Sequence, residues 1–395
     1  MFKKFKVTHF KSLESVEIEL GQVNVFIGAN GSGKSNLLES IAVLGAAASG
    51  RIDEESLLRR GVRPGLPSLY KSAFKLGKDQ QSDQIAFQAV TPTSTYEIAV
   101  TNPMDDASIA WEFKSERLLR DALTLVDRNL ANSPLNAEQG FAALKSVELL
   151  SDDPAGSLLA ALRDFAIYCP NTQTLRGLDP DPQNRRPIGL AGGRLAEAVR
   201  EIRNSKRENV ELSENFDEVV SLIDWAENVH SAPAATFPGS QFGSQTKLVL
   251  TFKDRFMEKS KNMLTGADVS EGSLYVLFAA ALALHPKSPR FFAIDNLDQA
   301  LNPRLATSLT RYFCQWLLQS NPRRQALVTV HNPAVLDGLP LAEDQVRLFT
   351  LDRSNRGHTV VQRVEVNEKL REMGEQGWTL SRLWVMGHLG GVPNV

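Results

Sequence analysis

Cysteine is nearly absent. Two residues, Cys169 and Cys314, occur in 395, too few for a disulfide framework or a cysteine-rich zinc cage, and both read as buried small side chains. Long hydrophobic runs are missing too. The longest, Leu274 to Leu284, has 11 residues, where a membrane-spanning helix needs about 20. The basic start Met1-Phe2-Lys3-Lys4-Phe5-Lys6 is not followed by the apolar core of a secretory signal. Charge of one sign is also lacking. The 44 Lys and Arg against 46 Asp and Glu leave −2, which excludes a generally cationic nucleic-acid wrapper but permits a local basic patch. No repeat or sustained heptad pattern is found, so a long coiled-coil arm is not expected. Apolar residues, by contrast, make up 42% of the chain, enough for a sizeable core. The expectation is a soluble, cytoplasmic protein without a membrane partner, built from about two or three units.

The order of elements points to an α/β protein. Val16 to Leu20 alternates as a half-exposed strand does, and Val23 to Ile27 reads as a strand covered on both faces. A helix with Leu37, Leu38, Ile41 and Leu44 on one stripe follows. Short strands are expected at Gln84 to Val90, Tyr96 to Val100 and Ile109 to Phe113. From about Glu116 the period changes to a helical one, carried by Leu119, Leu123, Val126 and Leu130, then Leu158, Leu162 and Phe165, then Leu212, Phe216, Val219 and Ile223. Loops are expected at Asp179 to Pro187 and Ser231 to Gln245. The last third returns to strands at Lys247 to Phe252, Phe291 to Ile294, Ala326 to Val330, Val346 to Leu351 and Thr359 to Val364, with helices at Ser270 to Leu284 and around Leu305 to Trp316. This alternation predicts a mainly parallel sheet with helices on both faces. Residues 1–115 and 240–395 would form one split head, and 116–239 a mainly helical insertion.

The sharpest motif is Gly28-Ala29-Asn30-Gly31-Ser32-Gly33-Lys34-Ser35, which matches G-x-x-x-x-G-K-[ST] between a buried strand and a helix. Glycines let successive backbone N–H groups turn inward around phosphate oxygens, and the helix N-terminus adds partial positive charge. Lys34 can reach the β- and γ-phosphates of ATP, and the Ser35 hydroxyl can ligate Mg²⁺. Asn30, Gly31, Ser32, Gly33, Lys34, Ser35 and Asn36 are therefore the candidate nucleotide-binding residues. A second carboxylate for the metal is available at Asp295, which ends the apolar strand Phe291-Phe292-Ala293-Ile294.

The wide gap between Lys34 and Asp295 resembles the ABC-type ATPase heads of the SMC/RecF group, and especially the small RecF/OLD-like AAA family ATPases of bacterial anti-phage defence operons. Phe10-Lys11-Ser12-Leu13 is similar to the opening strand of that group. Val269-Ser270-Glu271-Gly272-Ser273-Leu274 resembles a degenerate signature motif, Leu301-Asn302-Pro303 a D-loop, and Thr329-Val330-His331-Asn332-Pro333 the segment of the switch histidine. The tail from Leu383-Trp384 to Gly390-Gly391-Val392-Pro393 is similar to those of such defence ATPases. The resemblance implies a P-loop NTPase fold, an ABC/RecF-like head with an antiparallel β part. It also implies a dimer or higher oligomer sandwiching ATP between the P-loop of one protomer and Ser270 and Gly272 of the other. His331 would contact the γ-phosphate. The implied biology is antiviral defence with a separate effector protein, a nuclease being one option.

One position departs from that pattern. The residue after Asp295 is Asn296 where the group carries a glutamate, giving Asp295-Asn296-Leu297-Asp298. An amide orients water but accepts no proton, and a general base contributes roughly 10²–10⁴-fold. Either Asp298 serves as base or relay and slow ATP hydrolysis persists, or the protein is an ATP-locked scaffold that does not turn over. Basic clusters at Lys3, Lys4 and Lys6, at Arg59, Arg60 and Arg63, at Arg185 and Arg186, and at Arg203, Lys206 and Arg207 leave a nucleic-acid partner open.

Overall fold

The computed structural model describes all residues except 75–82, 130–135, 151, 206–208, 238–246 and 392–395. Lys206, Arg207 and Leu130, the end of the second expected loop, and Val392-Pro393 of the tail motif therefore lie outside the described residues.

Two six-stranded sheets frame the P-loop helix. The first is antiparallel, formed by β1 (Lys4–Phe10), β2 (Leu13–Glu19), β4 (Ile85–Val90), β5 (Ser94–Thr101), β6 (Glu112–Arg120) and β7 (Leu123–Asn129), in the order β2-β1-β4-β5-β6-β7. The second contains β3 (Val23–Gly28), β8 (Ile167–Tyr168), β12 (Phe291–Ile294), β13 (Gln325–Thr329), β14 (Val346–Arg353) and β15 (Thr359–Val364), in the order β15-β14-β3-β13-β12-β8. It is parallel apart from the β14–β15 pair. A three-stranded antiparallel sheet of β9 (Ala226–Pro233), β10 (Leu248–Asp254) and β11 (Met263–Thr265) sits apart from both.

Alternation along β3 explains the layering. Phe26 points into a core shared with Phe5, Val7 and Phe87 of the antiparallel sheet and with Leu37, Leu38 and Ile41 of the P-loop helix (Lys34–Ala48). Val23, Val25 and Ile27 point the other way, into a core built on the helices Glu271–Leu284 and Pro303–Gln319. A strand with both faces covered has to be apolar at every position, as this one nearly is. The same reasoning accounts for the run from Leu274 to Leu284, which is buried on all sides inside the second core. No helix among the described residues is long and apolar enough to cross a membrane.

The expected strands of the first and last thirds are found, the third one shifted to start at Glu112 rather than Ile109. The helix expected over Leu119, Leu123 and Val126 is not. That stretch is β6 and β7, completing the antiparallel sheet. The insertion from 116 is thus helical only from Ala142 onward, and it returns strands at β8 and β9. Helices carrying Leu158 and Leu162 (Pro154–Asp164) and Leu212, Phe216 and Val219 (Val210–Ser221) are present as expected. Cys314 is buried, but Cys169 is exposed, at the end of β8.

Candidate nucleotide site

The parallel strands β3, β12 and β13 all point towards one edge, and the sequence motifs converge there. β3 ends at Gly28, with φ +155°, where a Cβ would stand 2.3 Å from Leu351 O. Gly33, with φ +109°, would place a Cβ 2.2 Å from Thr359 Oγ1. Both positions therefore need glycine. Thr359 Oγ1 donates to Ser32 O at 2.7 Å and stands 2.8 Å from Ser12 Oγ, which in turn accepts from Asn36 Nδ2 at 2.7 Å. The loop is clamped from β15 and from the β1–β2 turn, while Asn30 and Gly31 form its exposed rim.

Lys34 is buried, and its Nζ donates to Gly28 O at 2.6 Å and Ala29 O at 3.1 Å. Among the described residues no carboxylate lies within 4 Å of it. Burial lowers its pKa, with Asp295 and Asp298 opposing from further away. A buried cation held only by carbonyls is costly, and the buried Ser32 Oγ beside it has no hydrogen-bond partner. Both observations fit a site for an anionic phosphate group.

Ser35 Oγ donates to Asp295 Oδ2 at 3.0 Å, joining the start of the P-loop helix to the end of β12. Thr329 Oγ1 donates to the other oxygen, Asp295 Oδ1, and accepts from Asn296 N at 2.9 Å. Asn296 takes φ +63°, a conformation asparagine tolerates better than most residues. Asp298 is buried, and its Oδ2 accepts from His331 N at 2.7 Å and from Asn332 N. The chain after β13 is thereby tied to the chain after β12. His331 is exposed at this edge; its pKa is lowered by partial desolvation and then by Lys34, against the pull of Asp298 and Asp295.

Ser270 and Gly272 are positioned by a different helix. Ser270 precedes the helix Glu271–Leu284, makes no side-chain capping bond and pairs with Ser273 Oγ at 2.8 Å. Gly272 packs under Ala300 and Leu305, where a Cβ would stand 3.2 Å from Ala300 O. Among the described residues no hydrogen bond joins either one to the P-loop.

Sequence reasoning overlooked three supports of the site. Glu39, buried in the P-loop helix, pairs with Lys11 Nζ at 2.6 Å and Arg63 Nε at 2.7 Å. A lone carboxylate in an otherwise apolar helix was the signal that could have found it. Thr359 is 347 residues from Ser12, so its clamp leaves no local trace. The third is the point where the tail, itself singled out in the sequence, meets the site: Leu383 and Trp384 are buried, and Gly391 N donates to Asp352 Oδ2 at 2.9 Å. Gly391 reaches the P-loop itself, since a Cβ there would stand 3.4 Å from Gly28 Cα. The basic clusters mostly serve the fold. Arg60 is buried, Arg63 binds Glu39, Lys4 pairs with Glu17 at 2.7 Å and Arg203 donates to Val229 O at 2.7 Å.

Comparison with known proteins agrees with this geometry. A family model described as "AAA ATPase domain" matches residues 1–175, and one described as "AAA domain, putative AbiEii toxin, Type IV TA system" matches residues 151–337. The DNA double-strand break repair Rad50 ATPase of Saccharolobus solfataricus is 27% identical over 138 residues, which is 35% of this chain and 15% of that protein. The DNA replication and repair protein RecF of Heliobacterium modesticaldum is 45% identical over 47 residues, 12% of this chain and 13% of its own length. The matches thus span a small fraction of these relatives. An SMC head bound to the C-winged helix domain of ScpA superposes with a TM-score of 0.55 at 13% identity, covering 94% of this chain and 99% of that one. An SMC head with an extended coiled coil, bound to the C-terminal domain of ScpA derived from Pyrococcus furiosus, gives 0.51 at 11% identity, covering 95% and 99%. At such identities the structures share the fold. One ATPase-domain model thus covers the P-loop and the other the Asp295 strand and the His331 segment, and together with the Rad50 and RecF matches and the SMC-head fold they support an SMC/RecF-like AAA ATPase.

Proposed function

We propose that the chain binds Mg²⁺-ATP at this edge, dimerises around the nucleotide and hydrolyses it slowly. The observation that carries the reading is the 3.0 Å bond between Ser35 Oγ and Asp295 Oδ2, which unites a P-loop hydroxyl and a strand-end carboxylate 260 residues apart. Backbone N–H groups of residues 30–36 would wrap the phosphates, and Lys34 would exchange its two carbonyl partners for phosphate oxygens. Ser35 and Asp295 would hold Mg²⁺, which neutralises charge on the β- and γ-phosphates. His331 would contact the γ-phosphate, directly or through water.

Ser270 and Gly272 would serve the nucleotide of a second protomer. Their helix begins without a side-chain cap, so its first N–H groups remain available to a phosphate. Glu271 would have to point away. Asn296 makes the step slow, because water held by an amide loses its proton to no strong base. Asp298 would assist by holding the His331 segment in place.

The wider role we infer is control of a separate effector, a nuclease among the candidates, by the nucleotide state of the head. The toxin-system wording of the family model and the DNA-repair names of the relatives support anti-phage defence in the cytoplasm, with invading nucleic acid as one trigger. A second reading is favoured by Asn296 together with the tethered Asp298: an ATP-locked scaffold for that effector. Phosphate release and light scattering on the purified protein with Mg²⁺-ATP, beside Lys34→Ala, separate the two. Sustained release lost in the variant supports the ATPase. ATP-dependent dimers releasing less than one phosphate per site select the scaffold, and absence of ATP binding overturns both.

A further inference from the structure

A cleft at the opposite end of the parallel sheet has no part in the ATP chemistry. The P-loop lies where the strands end, whereas this cleft lies where β8 and β12 begin, between the helix Pro154–Asp164, the loop at 185–186 and the turn at 287–290. Its volume is about 580 Å³, within the range of roughly 300–1,000 Å³ typical of small-ligand sites.

Its lining is one-sided in charge. Arg163, Arg185, Arg186, Lys287 and Arg290 face it, against Asp164. Arg163 is committed to the fold, donating to Ala48 O at 2.7 Å and to Ser146 Oγ. The others are less engaged. Among the described residues neither Arg186 nor Arg290 has a carboxylate within 4 Å, and Lys287 stands 3.9 Å from Glu201. Arg185 Nη2 donates to Asp164 O at 3.0 Å, but its Nη1 is buried with no hydrogen-bond partner. An overall charge of −2 makes such a concentration of cations a local feature.

We propose that this cleft is a second ligand site, for a phosphorylated small molecule of mono- to dinucleotide size. The cations would take the phosphates as charge-assisted hydrogen bonds, and Leu149, Leu150 and Pro289 offer apolar surface to a base.

The test uses the full chain carrying Lys34→Ala, which disables the P-loop, with 5′-phosphorylated diadenylate as the calorimetric probe. Saturable binding is expected, competed by inorganic tripolyphosphate. Arg290→Glu should weaken it by roughly tenfold or more, and Arg185→Gln by a similar factor. Arg290 is exposed, so its variant should fold even if the Arg185 one does not; circular dichroism checks this. Lack of saturable binding would overturn the proposal, as would unchanged affinity in Arg290→Glu. Binding of long single-stranded DNA without binding of the dinucleotide would overturn it too, assigning the cleft to nucleic-acid backbone.

Discussion

Asp298→Asn distinguishes a strut from a base. In the folded chain Asp298 Oδ2 accepts from the backbone N–H groups of His331 and Asn332. Hydrogen bonds to a charged group contribute about 1.5–3 kcal/mol each. His331 is exposed, so water can replace part of that, and Asp298→Ala should cost about 2–4 kcal/mol in total. Asparagine keeps one carbonyl oxygen in the same place. It can still accept both N–H groups, at neutral rather than charge-assisted strength, and should lose only about 1–2 kcal/mol. If Asp298 acts by holding the His331 segment, Asp298→Asn should hydrolyse ATP within about tenfold of the parent, while a missing general base costs roughly 10²–10⁴-fold. Single-turnover phosphate release, with ATP affinity and melting temperature measured on the same samples, reads all three quantities. A loss of a hundredfold or more in Asp298→Asn, at unchanged affinity and melting temperature, would refute the strut.

Three further outcomes follow from the same geometry. Lys34→Ala removes a buried cation that only carbonyls hold, and equilibrium dialysis should show ATP affinity down by at least about tenfold. Glu39→Gln leaves Lys11 and Arg63 without their carboxylate, at a cost of about 1–3 kcal/mol, limited because Arg63 is largely exposed. Burial pushes the Glu39 pKa up, but the bonds from Arg63 and Lys11 more than reverse this, so the folded value lies below the ordinary 4.5. The stabilisation is then present above the unfolded pKa and lost as pH falls through the folded one. Melting temperature should accordingly fall less steeply in acid for Glu39→Gln than for the parent. Gly391→Val sets a branched side chain at φ +74°, with its Cβ 3.4 Å from Gly28 Cα and from Thr350 Cβ. Displacing the tail should weaken nucleotide binding several-fold, and unchanged affinity would separate the tail from the P-loop.

The motifs were legible because phosphate binding is written in contiguous residues. A glycine-rich turn after an apolar strand determines its own backbone, and Asp295 and His331 announce themselves at strand ends. The misreading of 116–126 has a definite physical origin. Alternation should betray a strand, but on β6 the buried face carries Phe113, Glu116 and Leu118, and on β7 it carries Val126 and Arg128, while Leu123 is exposed. Two charged residues occupy core positions and an apolar one faces water, so the leucines that remain visible fall at helical spacing. Glu116 can be buried because Tyr96 Oη donates to it at 2.9 Å and Ala142 N at 3.0 Å. Arg128 can be buried because Asn136 O accepts from it at 2.6 Å. These partners come from a neighbouring strand and from the chain beyond β7, and no window of sequence contains them all. Bulges between Leu118 and Leu119, and between Ala99 and Val100, break the period further.

The same distinction separates what could be read at the site from what could not. β8 is two residues long, below any periodic signal, yet it places Tyr168 O to accept from Asp295 N at 2.8 Å and so helps fix the Asp295 backbone. Thr359 and Gly391 reach the P-loop from the far end of the chain. Residues that touch phosphate have to be arranged by local backbone, whereas residues that hold that backbone still can come from anywhere the fold brings them. The reading of Asp298 as a base or relay came from its place two residues after Asn296. Its bonds to the chain beyond β13 support the strut proposed above, and on that proposal hydrolysis would rest on positioning by Lys34, Ser35, Asp295 and His331 with no carboxylate at position 296 to take the proton.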